Sequence, residues 1–316
     1  MRYWLIPAMA GALAACPGIA AAQPFGGRSG GVAAPAAAPD RTIAYGNDPL
    51  QKLDFWHAKN AAGPAPLVIF VHGGGWSRGS KDNATGRWKA VHYPGEGYAF
   101  ASIDYRLVPG ATVAQEAQDV ARAVKALLDR ATALGIDRRR VVLMGHSAGA
   151  HLVALVGTDE RYLRAAGLSF ADLAGVIAID GAGYDVPAQM ADAGGFLKPM
   201  YQAAFGSNLH TQQTLSPTFH AEAPNAPRFL LLHVERPDGI RQAQELAAAL
   251  KAAGTDVEER QFPGTGLMGH MEINRRLGDP GYAATAVVDA WLRRTFASQA
   301  PGAVAPERQP PPDGAH

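Results

Sequence analysis

The sequence predicts an α/β fold: a mainly parallel, twisted sheet flanked by helices, with a small cap insertion. Three observations carry that expectation. Continuous apolar runs have strand length, segments of helical periodicity separate them, and glycine-bearing motifs close two of the runs. The runs occupy 67–71, 99–103, 141–144, 175–179, 229–233 and 257–262, and their lack of polar alternation marks strands covered on both faces. Ahead of them, 42–45 and 53–57 read as an opening antiparallel pair. Helical spacing of apolar residues appears at 113–134, 151–157, 241–253 and 283–296. The stretch 184–226 breaks the alternation; it is long, weakly periodic and carries Phe196, Tyr201, Phe205 and Phe219. It leaves from the strand end at which such sheets bind ligands, so it is expected to cover the site.

The run 141–144 leads into Gly145-His146-Ser147-Ala148-Gly149, which opens the helical stretch 151–157. A serine hydroxyl is a weak nucleophile until it is held in the open beside a base. The two glycines leave room for the sharp strand-to-helix turn that exposes it. The run 67–71 leads into His72-Gly73-Gly74-Gly75-Trp76. Glycines let backbone N–H groups close on an oxyanion, and Ala148, after the serine, would add a further donor. A flexible turn would explain the three glycines alone, but not their pairing with a serine elbow.

A net charge of +1 over 316 residues, with no basic block, excludes the electrostatic footprint of a nucleic-acid partner and favours an uncharged or modestly polar small molecule. The first 22 residues begin Met1-Arg2, run through an apolar segment and end Ala20-Ala21-Ala22 before Gln23, the pattern of an export signal. That segment is shorter than the roughly 20 apolar residues of a spanning helix, so no integral membrane segment is expected in the mature chain. Leu13-Ala14-Ala15-Cys16 resembles a lipobox, which gives a competing version in which Cys16 is lipidated and anchors the protein. Both versions place the chain in the periplasm or outside the cell. Cys16 is the single cysteine, so no disulfide is expected. Residues 23–40 read as a flexible linker, 41–298 as one catalytic domain and 299–316 as a Pro-rich tail without fixed structure. No metal-ligand cluster or phosphate loop is visible, so no cofactor or metal is expected.

A serine nucleophile needs a base, and the base needs an acid to hold its tautomer; behind an elbow of this kind they follow in the order serine, acid, histidine. That order sorts nine of the ten histidines. His57, His92 and His151 precede or adjoin the elbow, and His72 and His146 shape the motifs. His210 and His220 fall in the insertion, and His233 ends a strand ahead of the acid. His270 remains as the base, after a glycine-rich loop at 264–269. The acid should lie just past the run 229–233, in Val234-Glu235-Arg236-Pro237-Asp238-Gly239. Asp238, at the tip, is the first candidate, Glu235 the alternative, and Asp180, closing the run 175–179, a third. Without a catalytic role Asp238 would cap a helix, Glu235 would pair with Arg236, and Asp180 would accept from loop amides. Asp104, in Asp104-Tyr105-Arg106-Leu107, is expected to pair with Arg106 and brace the glycine loop.

These motifs, with Gly269-His270, resemble the α/β-hydrolase superfamily, and within it the carboxylesterases that include feruloyl and acetyl xylan esterases, hormone-sensitive-lipase-like esterases and kynurenine formamidases. The likeness covers about 45–296. It implies the α/β-hydrolase fold and assigns the oxyanion amides to the second and third glycines, Gly74 and Gly75 here. Members commonly show a glycine after the histidine that ends the seventh strand and then a regularly spaced Asp. This chain departs from that spacing at Val234 to Asp238. The sequence thus reads as a secreted serine carboxylesterase hydrolysing short-chain or aryl small-molecule esters through an acyl-serine. Ser147 is the nucleophile, His270 the base, Asp238 the orienting acid, and Gly74, Gly75 and Ala148 the oxyanion donors. An amidase or formamidase with the same triad is the alternative among enzymes. A noncatalytic binding protein on the same scaffold is the alternative outside them, and the intact serine, histidine and glycines argue against it.

Overall fold

The computed structural model describes residues 37–82, 87–195 and 197–299. The expected leader at 1–22 with Cys16, most of the linker and the tail from 300 onward lie outside the described residues. Eight strands, β1 (Arg41–Ala44), β2 (Lys52–Trp56), β3 (Ala65–Val71), β4 (Ala99–Ile103), β5 (Ile136–His146), β6 (Gly175–Ile179), β7 (Arg228–Glu235) and β8 (Asp256–Thr265), form one sheet. Their order is β1-β2-β4-β3-β5-β6-β7-β8. The β1–β2 and β2–β4 pairs are antiparallel and the remaining pairs parallel, so the expected opening hairpin leads into a parallel sheet.

Strands β3, β4 and β6 are buried along their whole length, as unbroken apolar runs require. Successive side chains feed opposite faces. Leu67, Ile69 and Val71 lie on the face whose apolar cluster also includes residues of α2 (Val113–Leu128), α4 (Ala148–Thr158) and α9 (Pro237–Ala252). Val68, Phe70, Val142 and Met144 pack with α1 (Lys89–Gly95), α10 (Gly266–Arg276) and α11 (Ala283–Ala297). Helix α2 starts where Thr112 and Gln115 cap each other reciprocally, which satisfies amides the helix leaves free. The helical periodicity at 113–134 divides into α2 and the short α3 (Ala131–Leu134), which Gly135 ends at φ 64°. Helix α1 was not expected: seven residues with Pro94 inside are too short to show a period.

Between β6 and β7 lie α6 (Val186–Asp192), α7 (Leu197–Phe205), α8 (Leu209–Thr214) and a 3₁₀ turn at Pro217–His220; α5 (Arg161–Ala165) precedes β6. The insertion buries Tyr184, Tyr201 and Phe205 and leaves Phe219 exposed. Phe205 and Tyr201 pack on the Trp76 ring at 4.7 and 5.8 Å. Trp76 Nε1 donates to His151 Nδ1 at 3.2 Å, so His151 carries its proton on Nε2, which donates to the Leu215 carbonyl at 2.7 Å. The insertion is thereby tied to α4 and to the loop after β3.

Burial lowers both His72 and His151 to about 4 and holds His146 well below the ordinary histidine value. Between the ordinary histidine value of about 6.5 and about 4, the unfolded chain binds protons that the folded chain refuses, so these groups remove stability as pH falls through that window. Glu116 opposes them: burial raises it to about 9, so the folded chain keeps a proton and its stabilisation is lost as pH rises. Three histidines outweigh one glutamate, and the melting temperature is expected to drop between pH 6.5 and 5. His151→Gln, measured by thermal melts across that range, should flatten the decline by up to about 1.4 kcal/mol per pH unit. A wild-type slope in the variant would contradict the assignment.

Candidate active site

Parallel register gathers the carboxyl ends of the strands. Val71 of β3 stands opposite Gly145 of β5, His146 opposite Ile179 of β6, and Ile179 opposite Leu232 of β7. The residues that follow, including Gly73, Ser147 and Asp180, therefore crowd one edge of the sheet. The pairing of Glu235 with Thr265 brings the start of α10, and with it His270, to the same edge.

Ser147 sits at φ 57° and ψ −120°, a conformation that non-glycine residues adopt only when the surroundings enforce it. Its amide donates to the Ile179 carbonyl at 3.0 Å, and the helix behind it, α4, is buried at every residue. Glycine is required on both sides: a Cβ on Gly145 would lie 2.2 Å from the Gly149 carbonyl oxygen, and one on Gly149 2.1 Å from that of Val71. Ala148 opens α4, so its N–H lies at the positive end of the helix dipole, directly after the serine.

The glycine loop lies against the serine, because a Cβ on Gly73 would fall 2.9 Å from Ser147 Cβ. Gly74 and Gly75 have φ of 132° and 59°. A side chain at Gly75 would run into Met200 Sδ of α7 at 2.3 Å, so the insertion rests on this loop. Tyr105 braces the loop, donating its hydroxyl to the His72 carbonyl at 2.8 Å and stacking on the His72 ring at 4.3 Å. Asp104 Oδ1 accepts from the Lys81 amide at 2.6 Å, further along the same loop. It does not pair with Arg106 as expected. Arg106 turns instead to Asp119, with Nε on Oδ2 at 2.8 Å and Nη2 on Oδ1 at 2.7 Å.

His270 lies within the first turns of α10, where a loop had been expected. Its Nε2 is 3.0 Å from Ser147 Oγ and its Nδ1 is 2.5 Å from Asp180 Oδ2. The carboxylate can only accept from Nδ1–H, which leaves Nε2 free to take the serine proton. His146, 4.5 Å away ring to ring, donates Nε2–H to the His270 carbonyl at 2.9 Å and anchors that turn of α10.

Asp180 is wholly buried, with φ 44° directly after β6. Burial pushes its pKa up, but the hydrogen bond from His270 and the charge of Arg236 outweigh burial and hold it below the usual carboxylate value. The Val234 amide donates to Oδ1 at 3.2 Å, and Arg236 Nε lies 3.1 Å from Oδ2.

The expected acid, Asp238, is not at the histidine. It is the second residue of α9, and its Oδ2 faces Arg236 Nη1 at 3.4 Å and Gln189 Nε2 at 3.2 Å. Glu235, the alternative, ends β7 exposed to solvent. The reason is spacing: β7 runs to Glu235 and Pro237 at once begins α9, leaving no loop to carry Asp238 to His270. The sequence signal for Asp180 was a carboxylate closing a wholly apolar strand, the same position Ser147 holds after β5. His233 is buried and pairs with Glu259. Among the described residues no group of three or more His, Cys, Asp or Glu could hold a metal ion, and no helix is long and apolar enough to cross a membrane.

The BD-FAE family matches residues 53–250. Isoprenylcysteine alpha-carbonyl methylesterase ICME of Arabidopsis thaliana is 35% identical over 114 residues, 36% of this chain and 26% of that protein, so the match spans about a quarter of that relative's length. Kynurenine formamidase of Danio rerio is 25% identical over 263 residues, 78% of this chain and 79% of that protein. Among solved structures, esterase B of Lactobacillus rhamnosis superposes with a TM-score of 0.68 at 21% identity over 84% of this chain and 88% of that one. The α/β-hydrolase fold is common to both.

The geometry assigns different consequences to two Asp→Asn changes. Asp180→Asn keeps the shape but can donate to His270 Nδ1 and so favour the wrong tautomer, and turnover of a cleaved substrate is expected to fall on the order of 10⁴-fold. Asp238→Asn, beyond Arg236, should cost less than about tenfold. Saturation kinetics on the two variants side by side test this, and a crippled Asp238→Asn beside an active Asp180→Asn would reverse it.

Proposed function

The chain belongs to the BD-FAE family, and from that membership and the site geometry we propose that it is a serine carboxylesterase acting on short-chain or aryl esters of small molecules. The observation that carries the proposal is the continuous relay from Ser147 Oγ through His270, at 3.0 Å, to Asp180, at 2.5 Å. Ser147 Oγ attacks the ester carbonyl carbon while its proton passes to His270 Nε2. Asp180 stabilises the resulting imidazolium. The carbonyl oxygen becomes an oxyanion facing the amides of Gly74, Gly75 and Ala148. Collapse of the tetrahedral intermediate breaks the C–O bond of the alcohol, which leaves with the proton from Nε2. Water then gives its proton to His270, adds to the acyl-serine carbonyl and releases the acid, and the proton returns to Ser147.

A short acyl group fits the ring packing above the glycine loop, where Trp76, Tyr201 and Phe205 fill the space and Met200 covers Gly75. Leu267, Met268 and Met271 are exposed on α10 around His270, an apolar surface suited to an aryl group. A second reading, amide or formamide hydrolysis with the same residues, is favoured by the similarity to kynurenine formamidase over most of the chain. The intact relay weighs against a noncatalytic role. Export is part of the proposal and is supported by the sequence pattern at 1–22.

Ser147→Ala should fold as the wild type and lose on the order of 10³-fold or more in hydrolysis. A panel of nitrophenyl, feruloyl and acetyl-sugar esters beside a formanilide, with thermal melts of both proteins, reads this out. Acetyl and aryl esters are expected to be cleaved fastest. Wild-type turnover in a folded Ser147→Ala would contradict the serine mechanism, and cleavage of the formanilide alone would select the second reading.

A further inference from the structure

We propose that Arg236 is a positioning residue that keeps the Asp180–His270 pair charged and aligned by clasping the back of the Asp180 carboxylate; this rests on the serine-hydrolase reading above. Arg236 stands immediately after β7, in the segment where the sequence placed the acid. Its side chain is 14% exposed, and the guanidinium spans three oxygens. Nη2 donates to the Gly181 carbonyl at 3.1 Å, Nη1 reaches Asp238 Oδ2 at 3.4 Å, and Nε lies 3.1 Å from Asp180 Oδ2. Nε–H is not aligned for a hydrogen bond, so its contact with Asp180 is one of charge. Gly239 makes room for the fork, since a Cβ there would lie 2.8 Å from Nη2. Asp238 in turn accepts from Gln189 of α6, a buried side chain of the insertion whose Oε1 accepts from the Gly183 amide at 3.4 Å. A chain of contacts thus runs from the insertion through Asp238 and Arg236 to the catalytic carboxylate.

Asp180 has no exposed surface, and apart from Arg236 its side chain has the Val234 amide and the His270 imidazole as partners. A buried carboxylate that loses a cation binds protons more readily, and so does the pair it forms with histidine. Whichever of the two takes the proton, His270 is then unable to accept from Ser147. The acid limb of the rate profile therefore moves to higher pH when the cation is removed. The other groups around the pair stay in place in such a variant. They are Ser147 and His146 from β5 and the elbow, Lys89 of α1, which burial lowers to about 7, Tyr184 after β6, Tyr282 before α11, and Asp238. Lys89 titrates in wild type and variant alike, so the difference between the two profiles isolates Arg236.

The test is the pH dependence of kcat/KM, with kcat and KM separated, for wild type, Arg236→Met, Arg236→Gln and Arg236→Lys on the best-cleaved ester. Both neutral variants are expected to move the acid limb up by about one pH unit and to lower kcat with KM little changed. Arg236→Lys keeps the charge without the fork, and should keep the acid limb near wild type while losing several-fold in kcat. If Arg236→Met does not fold, Arg236→Gln, which can still donate to Gly181, carries the same comparison. A folded neutral variant with the wild-type acid limb overturns the proposal. An active, folded Ser147→Ala would instead overturn the reading on which it rests, so the two failures are distinguishable.

Discussion

A carboxylate with no exposed surface, hydrogen-bonded to an imidazole, is the interaction on which the site depends. Burying an isolated charge costs several kcal/mol, and the cost is tolerated only where partners are fixed in advance. Here the partners come from two elements other than the one that carries the acid. Asp180 closes β6, the Val234 amide and Arg236 belong to the end of β7, and His270 is carried by α10. None of these groups is well placed unless the parallel register of β5 to β8 is intact. The same register holds the Ser147 amide on the Ile179 carbonyl, so Ser147 and Asp180 are set by adjacent strands.

The sheet was legible because strands buried on both faces leave unbroken apolar runs, and each of the eight expected strands overlaps an observed one. What was not legible was short. Helix α1 and the helices of the 184–226 segment are held by tertiary packing, as in the contact of α7 with Gly75 through Met200, and helices of six to nine residues have little stability of their own. From sequence the first turns of α10 read as a loop, because glycines disfavour a helix in isolation. In the fold, Gly264 and Gly269 pack against each other too closely for any side chain, which turns those glycines into a packing requirement.

The same contrast separates the parts of the site. The glycines flanking Ser147 and the glycine loop could be read because a Cβ at Gly73, Gly74, Gly75, Gly145 or Gly149 would meet a neighbouring atom at 2.9, 1.9, 2.3, 2.2 or 2.1 Å. His270 could be read by chain order. The acid could not, since a carboxylate needs only to reach Nδ1, and the end of β6 can supply it as well as the segment after β7. Asp238 satisfied the expected order but stands behind a guanidinium, and Asp180 satisfied the geometry. The expected Asp104–Arg106 pair failed in the same way: sequence proximity suggested it, and Asp119, one helix away, offered Arg106 a bidentate partner.

Membership of the BD-FAE family, the elbow at Ser147 and the buried acid converge on one chemical arrangement, and its least conventional feature is the position of that acid after β6. Proton NMR of the His270 Nδ1–H tests that feature most directly, because a short hydrogen bond to a buried carboxylate shifts this proton to very low field. The signal should be present in wild type and in Asp238→Asn and absent from Asp180→Asn. A signal that survives in Asp180→Asn and vanishes in Asp238→Asn would contradict the assignment of Asp180 as the partner of His270.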